Sequence, residues 1–67
     1  MDAAARSLLA TRDAGQLRSE LHDRELLLAE ADQLAQTDPS PVNLARYREA
    51  RAMVDVARKA LQLASQD

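Results

Sequence analysis

The sequence predicts an all-α protein, folded as an antiparallel two-helix hairpin (αα-hairpin) with a kinked or loosely attached N-terminal helical segment. Three observations carry this. The composition is dominated by Ala, Leu, Arg, Glu and Gln, which are strong helix formers. No run of alternating β-branched residues suggests a strand. The two prolines sit together near the middle, so one strong break separates two helical patterns.

Helix one is expected from about Asp2 to Gln36. Asp2 suits the N-cap, with its carboxylate near the unpaired amides of the first turn. From Leu17 onward the pattern is regular. Leu17, Leu21, Leu28, Ala31 and Ala35 lie within about 40° of one line, and Leu27 and Leu34 widen that stripe. Arg24 falls inside it, with its stem expected to pack and its guanidinium to reach water. Before Leu17 the signal weakens, because Gly15 costs about 1 kcal/mol against Ala in a helix. Asp2–Asp13 therefore reads as a separate helix, a frayed extension or a binding-induced arm. A weakly attached or kinked set of turns is favoured.

The loop is Thr37-Asp38-Pro39-Ser40-Pro41. Two prolines stop helix one, since each lacks an amide donor and biases its predecessor away from helix. Ser40 suits the next N-cap, with Pro41 at the first helical position, where a missing amide costs nothing. So short a loop makes its two helices antiparallel neighbours.

Helix two is expected over about residues 41–65, and its apolar surface is too wide. Val42, Met53, Ala57, Ala60 and Ala64 form a central seam. Tyr47, Ala50, Val54 and Leu61 flank it on one side; Ala45, Ala52, Val56 and Leu63 flank it on the other. The apolar arc covers about 200°, against a stripe somewhat over 100° on an ordinary surface helix. Arg48, Arg51, Asp55 and Arg58 occupy the rest, with Lys59 at its edge. One neighbouring helix covers the seam and one flank. The other flank calls for a partner.

At 67 residues the chain is one small unit spanning 1–67, marginal in isolation unless stapled or partnered. It has no cysteine, which excludes disulfides and thiolate zinc sites. A lone histidine, His22, cannot build a histidine metal cluster, so no metal and no cofactor is expected. The net charge of −2 gives no electrostatic case for nucleic acid or an acidic membrane. No segment has transmembrane length, and Met1-Asp2-Ala3-Ala4-Ala5 has neither the basic nor the apolar part of a secretory signal. The expected compartment is cytoplasmic. Residues 1–36 carry four Arg against seven acidic residues, and residues 37–67 five basic against four acidic. Opposite balances favour pairing of the two halves, at about 0–1 kcal/mol per exposed pair.

No enzyme is expected. Glu20, Asp23, Glu25, Glu30 and Asp32 read as a solvated acidic face, because a hairpin offers no enclosed cleft to tune a carboxyl. His22 has no nucleophile or acid partner at a motif spacing. Leu8, His22, Leu26 and Ala29 would form a second docking stripe if helix one were continuous. The candidate partner-binding residues are Tyr47, Ala50, Val54 and Leu61, with Arg51 and Arg58 beside them. Tyr47, Val54 and Leu61 recur at seven-residue spacing. They either pack on helix one or dock a partner while the Val56/Leu63 flank fills the hairpin. Tyr47 is the one aromatic residue, and a tyrosine with one wet end suits an interface.

The second half carries a family pattern. Tyr47-Arg48-Glu49-Ala50-Arg51-Ala52-Met53 runs into Val54-Asp55-Val56-Ala57, after a short loop and a long Leu-rich helix. This layout resembles the E-type co-chaperones of type III secretion needle subunits, which are small helical hairpins. The resemblance covers most of the chain from Leu17 onward. It implies a cytoplasmic heterotrimer, in which the chain binds a tetratricopeptide-like needle chaperone and, through it, the needle subunit. The implied task is to prevent premature needle polymerisation. A second resemblance competes. Thr37-Asp38-Pro39-Ser40-Pro41 followed by Val42-Asn43-Leu44-Ala45-Arg46-Tyr47 is similar to the turn of needle and inner-rod subunits. Those subunits usually continue with a longer apolar C-terminal tail, which ranks this reading second. A third expectation is a homodimer of hairpins forming a four-helix bundle.

Overall fold

A computed structural model describes residues 3–65. All the regular structure among them is helical: α1 (Ala3–Thr11), α2 (Ala14–Thr37) and α3 (Pro41–Ala64). The expected helix one is thus two helices, and the molecule has three among the described residues rather than two. The N-cap expected at Asp2 lies outside the described residues.

The break between α1 and α2 has a local cause. Asp13 leaves the helical region (φ −83°, ψ 175°) and caps α2. Its carboxylate accepts from the Gln16 amide at 2.8 Å, and the Gln16 side-chain oxygen accepts from the Asp13 amide at 3.0 Å. This reciprocal capping box satisfies two amides that a helix start leaves unpaired. Gly15 is not the breaker. It lies inside the first turn of α2, and no described glycine has positive φ. A second cap starts α3. Ser40 Oγ accepts from the Asn43 amide at 3.2 Å, and Pro41 stands at the first helical position. The loop between α2 and α3 narrows to residues 38–40. Asn43 fixes it by donating its side-chain amide to the Asp38 carbonyl at 2.8 Å.

α3 packs along α2 and, over a shorter length, against α1. Arg58 reaches Glu25, Arg24 reaches the Met53 carbonyl, and Leu34 shares a groove with Arg46. Among the described residues, the buried ones are Ala5, Leu17, Val54, Ala57 and Ala60. Three of these five are alanines, which permit close approach but remove little apolar area from water. Ala5, Leu17 and Ala60 form one cluster, one from each helix, with Leu8, Leu9, Leu61, Leu63 and Ala64 around it. α1 is therefore a docked element, and part of the apolar surplus on α3 is covered from within the chain. The shape is a rod of 42 × 21 × 16 Å. Its radius of gyration is 13.2 Å, above the roughly 11 Å of a compact chain this long.

Polar contacts tie the three segments at one place. The Glu20 carboxylate takes both Arg12, from the α1–α2 joint, and Arg24, the latter at 2.7 Å. Arg24 also donates to the Met53 carbonyl on α3 at 2.8 Å. Its guanidinium is thus turned across the helix interface. The expectation that it reaches into water is corrected, because a carbonyl of the facing helix and an i,i+4 carboxylate stand within its reach.

Candidate functional site

The site residues expected from the sequence separate in space. Val54 is 2% exposed and belongs to the core. Tyr47, Ala50 and Leu61 are half-buried on the same flank of α3. Tyr47, Val54 and Arg58 border a shallow cleft with Glu25, Leu28, Ala29 and Asp32. Arg58 is exposed and lies 3.8 Å from Glu25 and 4.0 Å from Asp55. Leu61 sits with Arg58, Gln62 and Ser65 at the far end of α3. Arg51 is exposed. Ala50 faces a different groove from the rest.

That groove gathers the surplus. It is an open trough of ≈ 310 Å³ between α2 and α3, lined by Leu27, Glu30, Ala31 and Leu34 from one helix and Arg46, Glu49, Ala50 and Met53 from the other. Its large apolar residues are wet: Leu27 is 53% exposed, Leu34 47% and Met53 39%, with Val42 at 59% on the same line of α3. Val42 and Met53 belong to the expected central seam, yet only its Ala57 and Ala60 are buried. Leu27 and Leu34 likewise stand at the edge of the α2 stripe and remain uncovered.

The register explains the division. On α3, seven-residue steps lead from Ala60 to Met53 and Arg46, so all three share one face. On α2, the same steps lead from Glu20 to Leu27 and Leu34. α1 covers this shared face at the Ala60 and Glu20 end, while its loop end stays open. Length makes this unavoidable. At about 1.5 Å per residue, α1 is roughly 14 Å long, and α2 and α3 are roughly 36 Å each. A nine-residue helix cannot fill the whole third position of a bundle whose other members have 24 residues.

The remaining expectations divide. His22, Leu26 and Ala29 are exposed on α2. Leu8 does not join them, because the break at Asp13 places it on α1 against the core cluster. Ala45 and Ala52 of the alternative flank are exposed, and Val56 and Leu63 are half-buried. Periodicity points to the apolar surplus of α3 and places Leu27, Ala31 and Leu34 on the α2 stripe, but it does not show that Leu27 and Leu34 stay uncovered. The signal that locates the groove is the short α1, readable from the capping-box spacing Asp13–Gln16. Among the described residues, no group of His, Cys, Asp or Glu is placed to hold a metal ion, and no helix is long and apolar enough to cross a membrane. Comparison with family models, curated proteins and solved structures finds no match.

Proposed function

We propose that this chain is a small non-enzymatic co-chaperone of type III secretion. On this reading it acts in the cytoplasm. It docks on a tetratricopeptide-like chaperone that holds the needle subunit, and the heterotrimer keeps that subunit from polymerising early. α2 and α3 serve as an antiparallel hairpin, with α1 folded against one end. The family pattern from Tyr47 to Ala57 supplies the partner's identity.

The observation that carries the reading is the open groove. Leu27, Leu34 and Met53 line one groove with their side chains exposed, and Val42 is exposed on the same line of α3, while the described residues bury only five apolar side chains, three of them alanine. Such a patch favours association, and a chain with so small a core gains stability from any partner that binds its folded form. The contact therefore shifts from the Tyr47/Val54 flank to the groove, and of the expected site residues only Ala50 lines it. Val54 holds the hairpin together instead.

The experiment is a tagged pull-down from native cells, with mass spectrometry of stoichiometric partners, run beside Met53→Asp. The expected result is a helical-repeat chaperone with a needle subunit on the parent chain, and neither on the variant, whose helicity is retained. Recovery of copies of this chain alone overturns the reading in favour of self-association.

A further inference from the structure

We infer that the groove takes an amphipathic helix of two to three turns that presents an alanine- and leucine-rich seam and a basic flank. This inference rests on the reading of the groove as a docking surface, and it names the chemistry of the occupant.

The size of the site comes first. From Leu27 to Leu34, and from Arg46 to Met53, each wall spans seven residue steps, about 10 Å, or two turns of helix. Val42 extends the α3 wall by a further turn. The trough has Ala31 and Ala50 among its lining, so its floor is not filled by large side chains. A helix seated there approaches both neighbours at the usual 8–10 Å of packed helices, a general spacing. An extended segment fits worse. The described residues of the groove are all helical, with no sheet edge to pair its backbone.

The chain already contains an example of what this face accepts. α1 seats Ala5, Leu8 and Leu9 against Leu17 and Ala60 on the same face. Just beyond α1, Arg12 meets the acidic rim at Glu20. The open end repeats the surface that α1 finds, displaced along the same register lines. Leu27 and Leu34 follow Glu20, and Met53 precedes Ala60.

Charge gives the occupant its sign. The groove is lined by Glu30 and Glu49 against Arg46. Asp23 stands one turn before Leu27 on the same side of α2. All three acidic side chains are exposed, and none of them forms an ion pair among the described residues. Glu20, by contrast, is already matched by Arg12 and Arg24. An occupant with arginine or lysine on its flank meets Asp23, Glu30 and Glu49 as Arg12 meets Glu20. An acidic flank meets like charge, which discriminates between partners.

The test uses the full chain and two fluorescent, alanine-rich peptides of about 15 residues, a length at which such a sequence is partly helical. Both carry leucines at alternating three- and four-residue spacing. One has arginines on the flanks and the other glutamates. Anisotropy titrations are expected to show the arginine peptide binding about tenfold or more tightly than its counterpart, with the preference shrinking at high salt. Met53→Asp should abolish binding of both. Glu30→Lys with Glu49→Lys should reverse the order of the two peptides, with circular dichroism unchanged. Equal affinities, absence of binding by the arginine peptide, or binding that survives Met53→Asp each overturn the inference. Self-association of the chain that Met53→Asp abolishes overturns it too, because a second copy is then the occupant. The docking reading fails separately, by native partner capture that Met53→Asp leaves intact.

Discussion

At the scale of single residues, adjacent positions on α3 have opposite roles. Val54 is 2% exposed, whereas Met53 turns 39% of its surface to solvent. Val54→Asp is expected to unfold the chain, since it places a carboxylate among apolar neighbours without a partner. Met53→Asp should leave the far-ultraviolet circular dichroism spectrum and the melting curve almost unchanged. Leu17 is the largest fully buried side chain beside Val54 and the only large one in the cluster that joins all three helices. Leu17→Ala should cost about 2–5 kcal/mol, measured by urea unfolding. For so small a protein that loss removes most or all of the native population. Glu20→Gln tests the polar clasp. It weakens two arginine contacts at once, so the expected loss is about 1 kcal/mol, and a double-mutant cycle with Arg12→Ala should show coupling.

Much of this is legible in the sequence, and the differences have physical causes. The line through Leu17, Leu21 and Leu28 marks the inner face of α2 because a helix buries one stripe. The seam through Ala57 and Ala60 is buried for the same reason. Val42 and Met53 share that seam yet stay wet, because periodicity gives a direction around a helix and not the length of the neighbour that covers it. Arg24 reads locally as a packed stem with a wet head. Its carbonyl partner on α3 depends on the register of two helices, which no local pattern encodes.

At the scale of elements, the joint at residues 12–13 governs the design. Periodicity alone favours one long helix with a weak start, and it makes Gly15 the natural suspect for any break. The spacing Asp13–Gln16 holds the better signal, since an N-cap acid three residues before a glutamine is a capping box. Asp13→Ala should lower stability by about 1 kcal/mol, seen as a fall of several degrees in melting temperature. Gly15→Ala has the opposite sign. The position is helical, and the added methyl meets only Asp13 Oδ1 at 3.4 Å. Its gain should be about 0.5–1 kcal/mol. The break at Pro39 is plain in the sequence, because proline acts on its own residue and its predecessor and needs no tertiary context.

At the scale of the whole molecule, the rod form keeps surface high and core small. A 42 Å long body only 16 Å thick cannot hide its apolar residues on both sides of two helices. If a foreign helix fills the groove, the isolated chain has no need of a second copy. Its melting temperature should then stay constant across about a hundredfold dilution, and it should rise when the arginine-flanked peptide is added. A melting temperature that climbs with protein concentration points to pairing of identical chains instead.

The cap at Asp13 has a further consequence for motion. Because Asp13 and Gln16 satisfy each other's amides, the backbone cap of α2 is made within α2 itself, although the Leu17 side chain packs on α1. α1 can lift away without breaking this capping box, at a cost that includes its side-chain packing and the Arg12 contact. Native-state hydrogen exchange should therefore divide sharply at this point. The α1 amides should exchange in a fast, separate opening event. The Leu17 amide, bonded to the Asp13 carbonyl at 2.9 Å, should keep the slow rate of the body of α2.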